Sequence, residues 1–223
     1  MAKRQTILTP TQVKILGVLS AEPLVAANFV LSGGTALAEW YLRHRYSEDL
    51  DFFSQNEFSS ETIPSILKKH KDILDFENFD IQKSFNRNLV FVKYPLETVK
   101  LEFTYFPFPS IETGLKYGNI KIDSLKDIAA NKLFTIYQQP RTRDFIDLYL
   151  IMQRDVGLLW DQLLKLAMAK FECYIDPLQM GTRLYECTQI TDYPKMIVPI
   201  EDTLWQKFFL SIAKQLGNQI SSP

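Results

Sequence analysis

The chain has 223 residues, of which 46% are hydrophobic and 13% aromatic, so it can bury a core in one large domain or two small ones. Its 25 basic and 26 acidic side chains leave a formal net charge of -1, which excludes a strong overall attraction to nucleic acid or to an anionic membrane. No segment approaches the roughly 18 apolar residues of a membrane span, and the N-terminus lacks the apolar core of a signal peptide. We therefore expect a cytoplasmic protein that makes no contact with a membrane.

The first predicted elements are a helix, a strand and a second helix that a Gly-Gly turn joins to the strand. Apolar residues recur at helical spacing over residues 10–22. The apolar run at 29–31 leads into Gly33 and Gly34, and helical spacing then resumes as far as Arg45. The order strand, tight turn and helix is therefore predicted here.

A pair of acidic residues lies on the strand predicted to follow. Side chains alternate between the two faces of a strand, so Asp49 and Asp51 share one face while Leu50 and Phe52 occupy the other. Two carboxylates this close together repel one another unless a cation lies between them. Oxygen ligands of this kind suit Mg2+. The alternative for an isolated Asp-x-Asp pair is a solvated surface, and the pair alone does not decide between the two.

The Gly-Gly turn next to this pair favours a nucleotide site. Glycine lets main-chain amides approach a phosphate closely, and the helix that follows presents the positive end of its dipole at the same place. Gly33, Gly34 and Thr35 are therefore predicted to hold a triphosphate beside a metal ion bound by Asp49 and Asp51. The alternative for the turn alone is a tight connection in which glycine supplies only conformational freedom.

The rest of the first half combines one helix with an antiparallel meander. Residues 59–75 are predicted to be helical with Ser59 or Ser60 as the cap, and the buried stripe contains Ile63, Ile66, Leu67 and Ile73. Runs rich in β-branched and aromatic residues then predict three strands, at 79–85, 89–94 and 98–106.

Helices dominate the second half of the sequence. An irregular stretch and a short strand at 120–122 are followed by helical patterns at 124–137, 141–153, 158–172, 177–189 and 201–215. The sequence thus predicts an α+β fold, with a mixed or antiparallel sheet and flanking helices in residues 1–122 and a C-terminal helical bundle in residues 123–223. Cys173 and Cys187 show no zinc-ligand spacing and are expected to be free thiols.

One segment resembles the first motif of the nucleotidyltransferase fold of the DNA polymerase β superfamily: residues 31–53, LSGGTALAEWYLRHRYSEDLDFF. More specifically, it resembles the AbiEii/AbiGii toxin family, whose members carry GGTAL, then His-Arg, then Ser-x-Asp-hydrophobic-Asp. These pieces correspond here to Gly33 through Leu37, His44-Arg45, and Ser47 through Asp51. The resemblance implies a nucleotidyltransferase-type sheet, with the helical domain completing the active-site cleft.

A later segment resembles the Lys and Arg-Asp-x-x-Asp-Leu motifs of the same family: residues 123–151, DSLKDIAANKLFTIYQQPRTRDFIDLYLI. Lys132 falls on the apolar stripe of its helix, and a lysine that faces inward needs an anionic partner unless its stem carries the charge out to solvent. Asp144 and Asp147 share one face of the next helix, where the alternative is N-terminal helix charge with a salt bridge to a nearby arginine. The resemblance implies that Lys132 and Asp144 are catalytic, with Lys132 also offsetting charge on the nucleotide. The role of Asp147 stays open.

Sites of the polymerase β type usually add a third carboxylate from a later strand. Alternation along residues 98–106 places Glu102 on the face opposite to Leu101 and Phe103, so the resemblance assigns it as a third metal ligand. His44, at a helix end, is expected to support the structure rather than to act as a base.

The resemblance implies a metal-dependent reaction that transfers a nucleoside monophosphate from an NTP to an acceptor. Asp49, Asp51 and Glu102 would bind Mg2+, or Mn2+ in its place. Some relatives, the MenT toxins, modify the acceptor end of tRNA, so tRNA is the expected acceptor, and a cognate antitoxin is the expected protein partner. Two alternatives stay open: transfer to a small molecule or a protein hydroxyl, and a nucleotide-binding or partner-binding module that does not catalyse.

Overall fold

The computed structural model describes residues 6–154 and 157–221, excluding the side chains of 219–221, and divides the chain into two units. The first unit runs to Pro109 and includes Thr113–Ser124. The second unit contains Ser110–Glu112 and the residues from Leu125 onward. Each unit is built around its own core.

The first unit contains a seven-stranded mixed sheet in the order β3-β4-β5-β2-β1-β7-β6. Its strands are β1 (Val30–Ser32), β2 (Leu50–Ser54), β3 (Asn78–Ser84), β4 (Arg87–Lys93), β5 (Thr98–Tyr105), β6 (Lys116–Tyr117) and β7 (Ile120–Ile122). The antiparallel pairing of β3 with β4 and of β4 with β5 confirms the predicted meander. The parallel pairing of β2 with β5 then joins this meander to the acidic strand. The two-residue strand β6 was not predicted, because its segment carries no alternation of apolar and polar residues.

Five helical segments accompany the sheet: α1 (Pro10–Ala21), α2 (Pro23–Asn28), α3 (Gly33–Ala36), α4 (Thr62–Lys69) and α5 (Lys71–Leu74). Thr9 caps α1 in a capping box with Gln12. Pro23 begins α2 directly after the first helix, since proline at the first helical position loses no hydrogen bond. The helix that starts at Gly33 continues as a π-helical turn over Leu37–Leu42.

The prediction of a single helix at 59–75 is wrong in three respects. It is divided at His70, and its first part begins at Thr62 with Glu61 as a cap that makes no side-chain capping hydrogen bond. Ile73, predicted to be buried, is 58% exposed, and Leu74 is buried in its place. The break at His70 resets the helical phase, which moves the inward position by one residue.

Alternation along the strands gives the sheet one apolar and one polar face. Leu50, Phe52, Leu101 and Phe103 are all fully buried on the same face. The rings of Phe52 and Phe103 stack with centroids 4.7 Å apart, and Phe29 meets Phe103 edge-on at 5.2 Å. The opposite face is left for the acidic residues of β2 and β5.

The second unit is a helical bundle, as predicted. Its helices are α6 (Leu125–Gln138), α7 (Thr142–Arg154), α8 (Trp160–Phe171), α9 (Pro177–Tyr185) and α10 (Asp202–Ser221). Phe145 packs on Trp205 and Phe209, with ring centroids 6.1 and 5.0 Å apart, which anchors α7 on α10. Within the described ranges, no helix has the length and apolar character needed to cross a membrane.

Candidate active site

The Gly-Gly turn and the acidic strand lie against each other in the first unit. Asp51 is opposite Ser32, the last residue of β1, in the antiparallel register of β1 and β2. Gly33 has a φ of +71°, and a Cβ atom added to it would lie 2.1 Å from Oδ2 of Asp51. Any other residue would be strained here and would collide with the carboxylate. The structure therefore brings together Gly33 and Asp51, two of the predicted site residues.

A buried arginine lies beside the second glycine. A Cβ atom on Gly34 would be 2.4 Å from Nη2 of Arg45 and 3.0 Å from Oγ of Ser47. Arg45 is buried, and its Nη1 donates a hydrogen bond of 3.0 Å to the main-chain oxygen of Tyr46. A guanidinium fixed at this turn favours the binding of an anion. The sequence showed Arg45 only through the resemblance, because nothing in its spacing indicates that it folds back onto Gly34.

Thr35 connects the turn to the acidic segment. Its buried hydroxyl donates a hydrogen bond to the main-chain oxygen of Asp49. The hydroxyl therefore positions Asp49. His44 is also buried.

Lys100, on β5, links two of the acidic residues. Its Nζ donates to Oδ2 of Asp49 at 2.7 Å and lies 3.9 Å from Oε2 of Glu102. The side chains of Lys100 and Asp49 are 29% and 30% exposed, so solvent reaches both partners of the pair. This lysine was not identified from the sequence, since its contact with Asp49 depends on the pairing of β2 with β5.

Glu102 is paired with an arginine of the neighbouring strand β4. Arg87 Nε lies 2.8 Å from Oε1 of Glu102 and Nη2 lies 2.7 Å from Oε2, while Thr104 donates to Oε1 at 3.2 Å. The hydrogen bonds to Glu102 raise the pKa of Arg87 against the opposing effect of burial, and the negative charges of Glu102 and Asp51 add to the increase. Asp51 is therefore close enough to act electrostatically on this pair.

Asp49 and Asp51 are the residues that could hold a divalent cation. Asp51 and Glu102 are opposite each other in the parallel register of β2 and β5. Mg2+ uses only one or two protein carboxylates and completes its shell with water and phosphate oxygens, a requirement that the half-buried Asp49 and Asp51 meet. Glu102 could join as a third ligand only by exchanging its contact with Arg87. Among residues 6–154 and 157–221, no three His, Cys, Asp or Glu side chains are already gathered around a common metal position.

Lys132, Asp144 and Asp147 form a buried cluster in the second unit. Lys132 Nζ is 2.7 Å from Oδ1 of Asp144 and 2.7 Å from Oδ2 of Asp147, and Arg141 Nε is 2.9 Å from Oδ2 of Asp144. The side chains of both aspartates are fully buried. Burial by itself would raise the pKa of Asp144, but the charges of Lys132 and Arg141 and their hydrogen bonds outweigh it and lower that pKa. The inward lysine thus has two anionic partners within its own unit.

The second unit contains another buried ion pair, which the sequence did not indicate. Asp127 accepts hydrogen bonds from Nζ of Lys170 at 2.7 Å and from the main-chain nitrogens of Ile111 and Glu112 at 2.8 and 3.3 Å. Both side chains are buried. In the sequence these residues look like ordinary charged positions on two helices, because nothing local relates α6 to α8. Their contacts fix the segment 110–112 to the bundle.

Comparisons with known proteins identify a matching family and one similar protein. Residues 17–217 match the family model described as nucleotidyl transferase AbiEii toxin, type IV TA system. The chain is 31% identical over 135 residues to the uncharacterized protein aq_aa25 of Aquifex aeolicus (strain VF5), a match that covers 58% of this chain and 60% of that protein. The chain thus spans about 60% of the length of that relative.

Two solved structures from Helicobacter pylori share the fold. The crystal structure of JHP933 has a TM-score of 0.61 and 19% identity, and the match covers 95% of this chain and 90% of that one. A second H. pylori protein, provisionally described as a nucleotidyltransferase, has a TM-score of 0.60 and 21% identity, with 95% and 93% of the chains covered. These likenesses confirm the predicted α+β architecture.

Proposed function

The chain belongs to the family of AbiEii nucleotidyl transferase toxins of type IV toxin-antitoxin systems, and from this premise we propose that it transfers a nucleoside monophosphate from an NTP to an RNA acceptor, with tRNA as the preferred acceptor. The observation that carries the proposal is the contact of Asp51 with the Gly33 turn. A carboxylate there would hold a metal ion beside main-chain amides that would hold a phosphate, and this proximity supports the proposal.

In the proposed reaction the chain mainly positions the reactants and neutralises their charge. The amides of Gly33, Gly34 and Thr35 would hold the triphosphate, and the buried guanidinium of Arg45 would add a fixed positive charge beside the turn. Asp49 and Asp51 would hold Mg2+, or Mn2+ in its place, which supplies positive charge to the phosphates when bound. An acceptor hydroxyl then forms a bond to the α-phosphorus, the bond to the β-phosphate breaks, and pyrophosphate leaves as the hydroxyl proton is released.

The proposal keeps Lys132 as a catalytic residue of the same reaction and Asp144 as the residue that positions it. Lys132 would offset negative charge on the nucleotide, and Asp144 would orient the Lys132 side chain. The 2.7 Å contact between the two side chains supports the orienting role. Because Asp144 is fully buried, it would act through Lys132 rather than by direct contact with the nucleotide.

The biological setting of the proposal is a toxin held in check by an antitoxin. The matched family acts in type IV toxin-antitoxin systems. We therefore propose a cognate antitoxin as the protein partner and the cytoplasm, where tRNA and NTPs are present, as the site of action.

The test uses purified protein, Mg2+, each α-labelled NTP in turn and total tRNA. We expect label on tRNA with the native chain and none with the Asp49→Ala/Asp51→Ala variant. Asp72→Ala/Glu77→Ala removes two exposed acidic side chains of the same unit and serves as the control with native activity. Small-molecule hydroxyl compounds and proteins are supplied in parallel reactions, so that label on either one identifies a different acceptor. Absence of transfer to every acceptor, with unchanged nucleotide binding in the Asp49→Ala/Asp51→Ala variant, would instead favour a binding module.

A further inference from the structure

Lys100 occupies the part of the acidic face where a metal ion would act. Its ammonium is 2.7 Å from Asp49 and 3.9 Å from Glu102, so it offsets the repulsion between two carboxylates that face the same side of the sheet. Sequence motifs give this lysine no role. Its position on β5, in register with the acidic strand β2, is what brings it to the site.

A divalent cation and the Lys100 ammonium compete for Oδ2 of Asp49. Mg2+ bonds to a carboxylate oxygen at about 2.0–2.1 Å and demands a regular shell of ligands around it. An ammonium 2.7 Å from Oδ2 occupies one direction of approach to that oxygen and carries a charge of the same sign. A cation that approaches Oδ2 from this direction therefore displaces Lys100.

The lysine is able to move, and the proposed substrate supplies its second partner. The side chain of Lys100 is 29% exposed, and an ammonium on a flexible four-carbon stem can change partners without movement of the main chain. Glu102 already receives two hydrogen bonds from Arg87, which makes it a poor alternative partner. A triphosphate held by the Gly33 turn would bring anionic oxygens beside the metal ligands.

We propose that Lys100 is a catalytic lysine with two positions. It pairs with Asp49 while the metal site holds no divalent cation, and it moves onto oxygens of the triphosphate when a cation binds Asp49. The proposal rests on the nucleotidyl transfer proposed above for this site. It predicts opposite effects of removing the ammonium: the metal binds more tightly and the nucleotide binds more weakly.

The alternative is a permanent surface ion pair, for which the same sheet offers a matched control. Lys93, on β4, lies 2.6 Å from Asp80 of β3, and both side chains are more exposed than Lys100. Lys93→Met also removes the ammonium of a paired lysine in the same sheet. Neither Lys93 nor its partner Asp80 is a proposed site residue. Lys100→Met and Lys93→Met keep the length of the stem and delete only the charge.

The first measurement is Mn2+ binding without nucleotide, monitored through the paramagnetic resonance signal of free Mn2+. Because the competing ammonium is lost, the Kd of Lys100→Met for Mn2+ should be roughly three- to tenfold lower. A change of this size corresponds to the free energy of a partly exposed ion pair together with the repulsion between the ammonium and the metal ion. Lys93→Met should match the native chain. Equal Mn2+ affinity of Lys100→Met and the native chain overturns the competition between lysine and metal.

The second measurement is binding of an α,β-methylene NTP analogue at saturating Mn2+, which does not depend on any transfer reaction. Lys100→Met should bind the analogue about tenfold more weakly, the loss of one charge-assisted contact. Lys100→Arg should recover most of this affinity because it keeps a cation at the position. Unchanged analogue binding in Lys100→Met overturns the contact with phosphate.

The two results separate this proposal from the proposed function. If the native chain transfers no label to any acceptor but Lys100→Met shows both shifts, the transfer proposal fails and the two positions of Lys100 stand. If transfer by the native chain is demonstrated and Lys100→Met shows neither shift, Lys100 is a structural ion pair and transfer stands. Urea unfolding of each variant confirms that the comparison is made between folded proteins.

Discussion

Two groups of carboxylates, one in each unit of the molecule, differ in burial. In the first unit Asp51 and Glu102 lie on neighbouring strands, and Asp49 directly precedes β2. Lys100, which pairs with Asp49, and Arg87, which pairs with Glu102, are both partly exposed. In the second unit Asp127, Asp144 and Asp147 are fully buried within the helical bundle.

The comparison shows that an ion pair affects stability differently when it is buried and when it is partly exposed. A buried ion pair must stay intact, since removing one partner leaves an uncompensated charge in a medium that solvates it poorly. A pair on a partly exposed face contributes little to stability and can exchange a lysine for another cation. The polar face of the sheet is therefore suited to binding a cation, and the buried carboxylates of the helical bundle also stabilise the fold. Four predictions examine this contrast, in order of the expected effect on the free energy of unfolding.

The largest effect is expected from Lys132→Met. This change leaves the buried carboxylates of Asp144 and Asp147 without the ammonium that lies 2.7 Å from each. We expect the free energy of unfolding to fall by about 3–5 kcal/mol, the usual result of breaking a buried pair from one side. Urea unfolding followed by circular dichroism measures it. Lys165→Met, at an exposed position on α8, is the control and should stay within about 0.5 kcal/mol of the native chain. A loss under about 1 kcal/mol in Lys132→Met would remove the contrast between the two units.

A second large effect is expected from Gly33→Ala. The new Cβ would need a φ of +71° and would lie 2.1 Å from Oδ2 of Asp51, so the carboxylate must shift. We expect a loss of about 1–3 kcal/mol in stability from the strained backbone, and a fall in transfer activity of about 100-fold because a metal ligand is displaced. Gly17→Ala is the control, since a Cβ there has no atom within 4 Å, and it should keep native activity. Native activity in Gly33→Ala would show that the contact with Asp51 does not matter to the reaction.

Local sequence patterns could predict much of the fold and part of the site. The strand, Gly-Gly turn, helix and acidic strand are consecutive, so their spacing alone places Gly33 near Asp51. The meander follows in the same way from alternation within three adjacent strands. The turn at Gly33 and the fold class were therefore accessible before the structure was known.

The partners of the carboxylates could not be predicted from local patterns. Lys100 reaches Asp49 and Arg87 reaches Glu102 only because β2 pairs with β5 and β5 with β4, and that register depends on the whole sheet. Lys170 reaches Asp127 through the packing of two helices that are far apart in sequence. The error at Ile73 has a more local origin, because a break at His70 within one helical pattern cannot be recognised from apolar spacing alone.

The third prediction concerns acid and the carboxylate of Asp144 in the buried cluster. The pKa of Asp144 is lowered in the folded chain below its ordinary value of 3.8. A lowered pKa means that the ionised carboxylate stabilises the fold at any pH above about 4, and that this contribution is lost as the pH falls through the folded pKa. Urea unfolding from pH 7 down to pH 3 should therefore show stability falling below about pH 4.

Asp144→Asn is the matched control for this acid dependence. The amide cannot titrate, so the variant should start from a lower stability at pH 7 and lose less of it between pH 4 and pH 3. The same loss in the variant and the native chain over that range would show that other groups cause the acid sensitivity.

The smallest effect on stability is expected from Asp49→Asn, and it is the most informative about the sheet face. Asp49 makes its side-chain contact with Lys100, and both side chains are about a third exposed, so an ion pair of this kind contributes at most about 1 kcal/mol. The hydrogen bond from Thr35 goes to the main-chain oxygen of Asp49 and survives the change. We expect urea unfolding within about 0.5 kcal/mol of the native chain, together with a fall in nucleotidyl transfer of at least about 100-fold, because an amide is a weaker metal ligand than a carboxylate. If Asp49→Asn unfolds as easily as Lys132→Met, the Asp49 carboxylate supports the fold as the buried carboxylates do. The distinction between the carboxylates of the sheet face and those of the buried cluster would then be wrong.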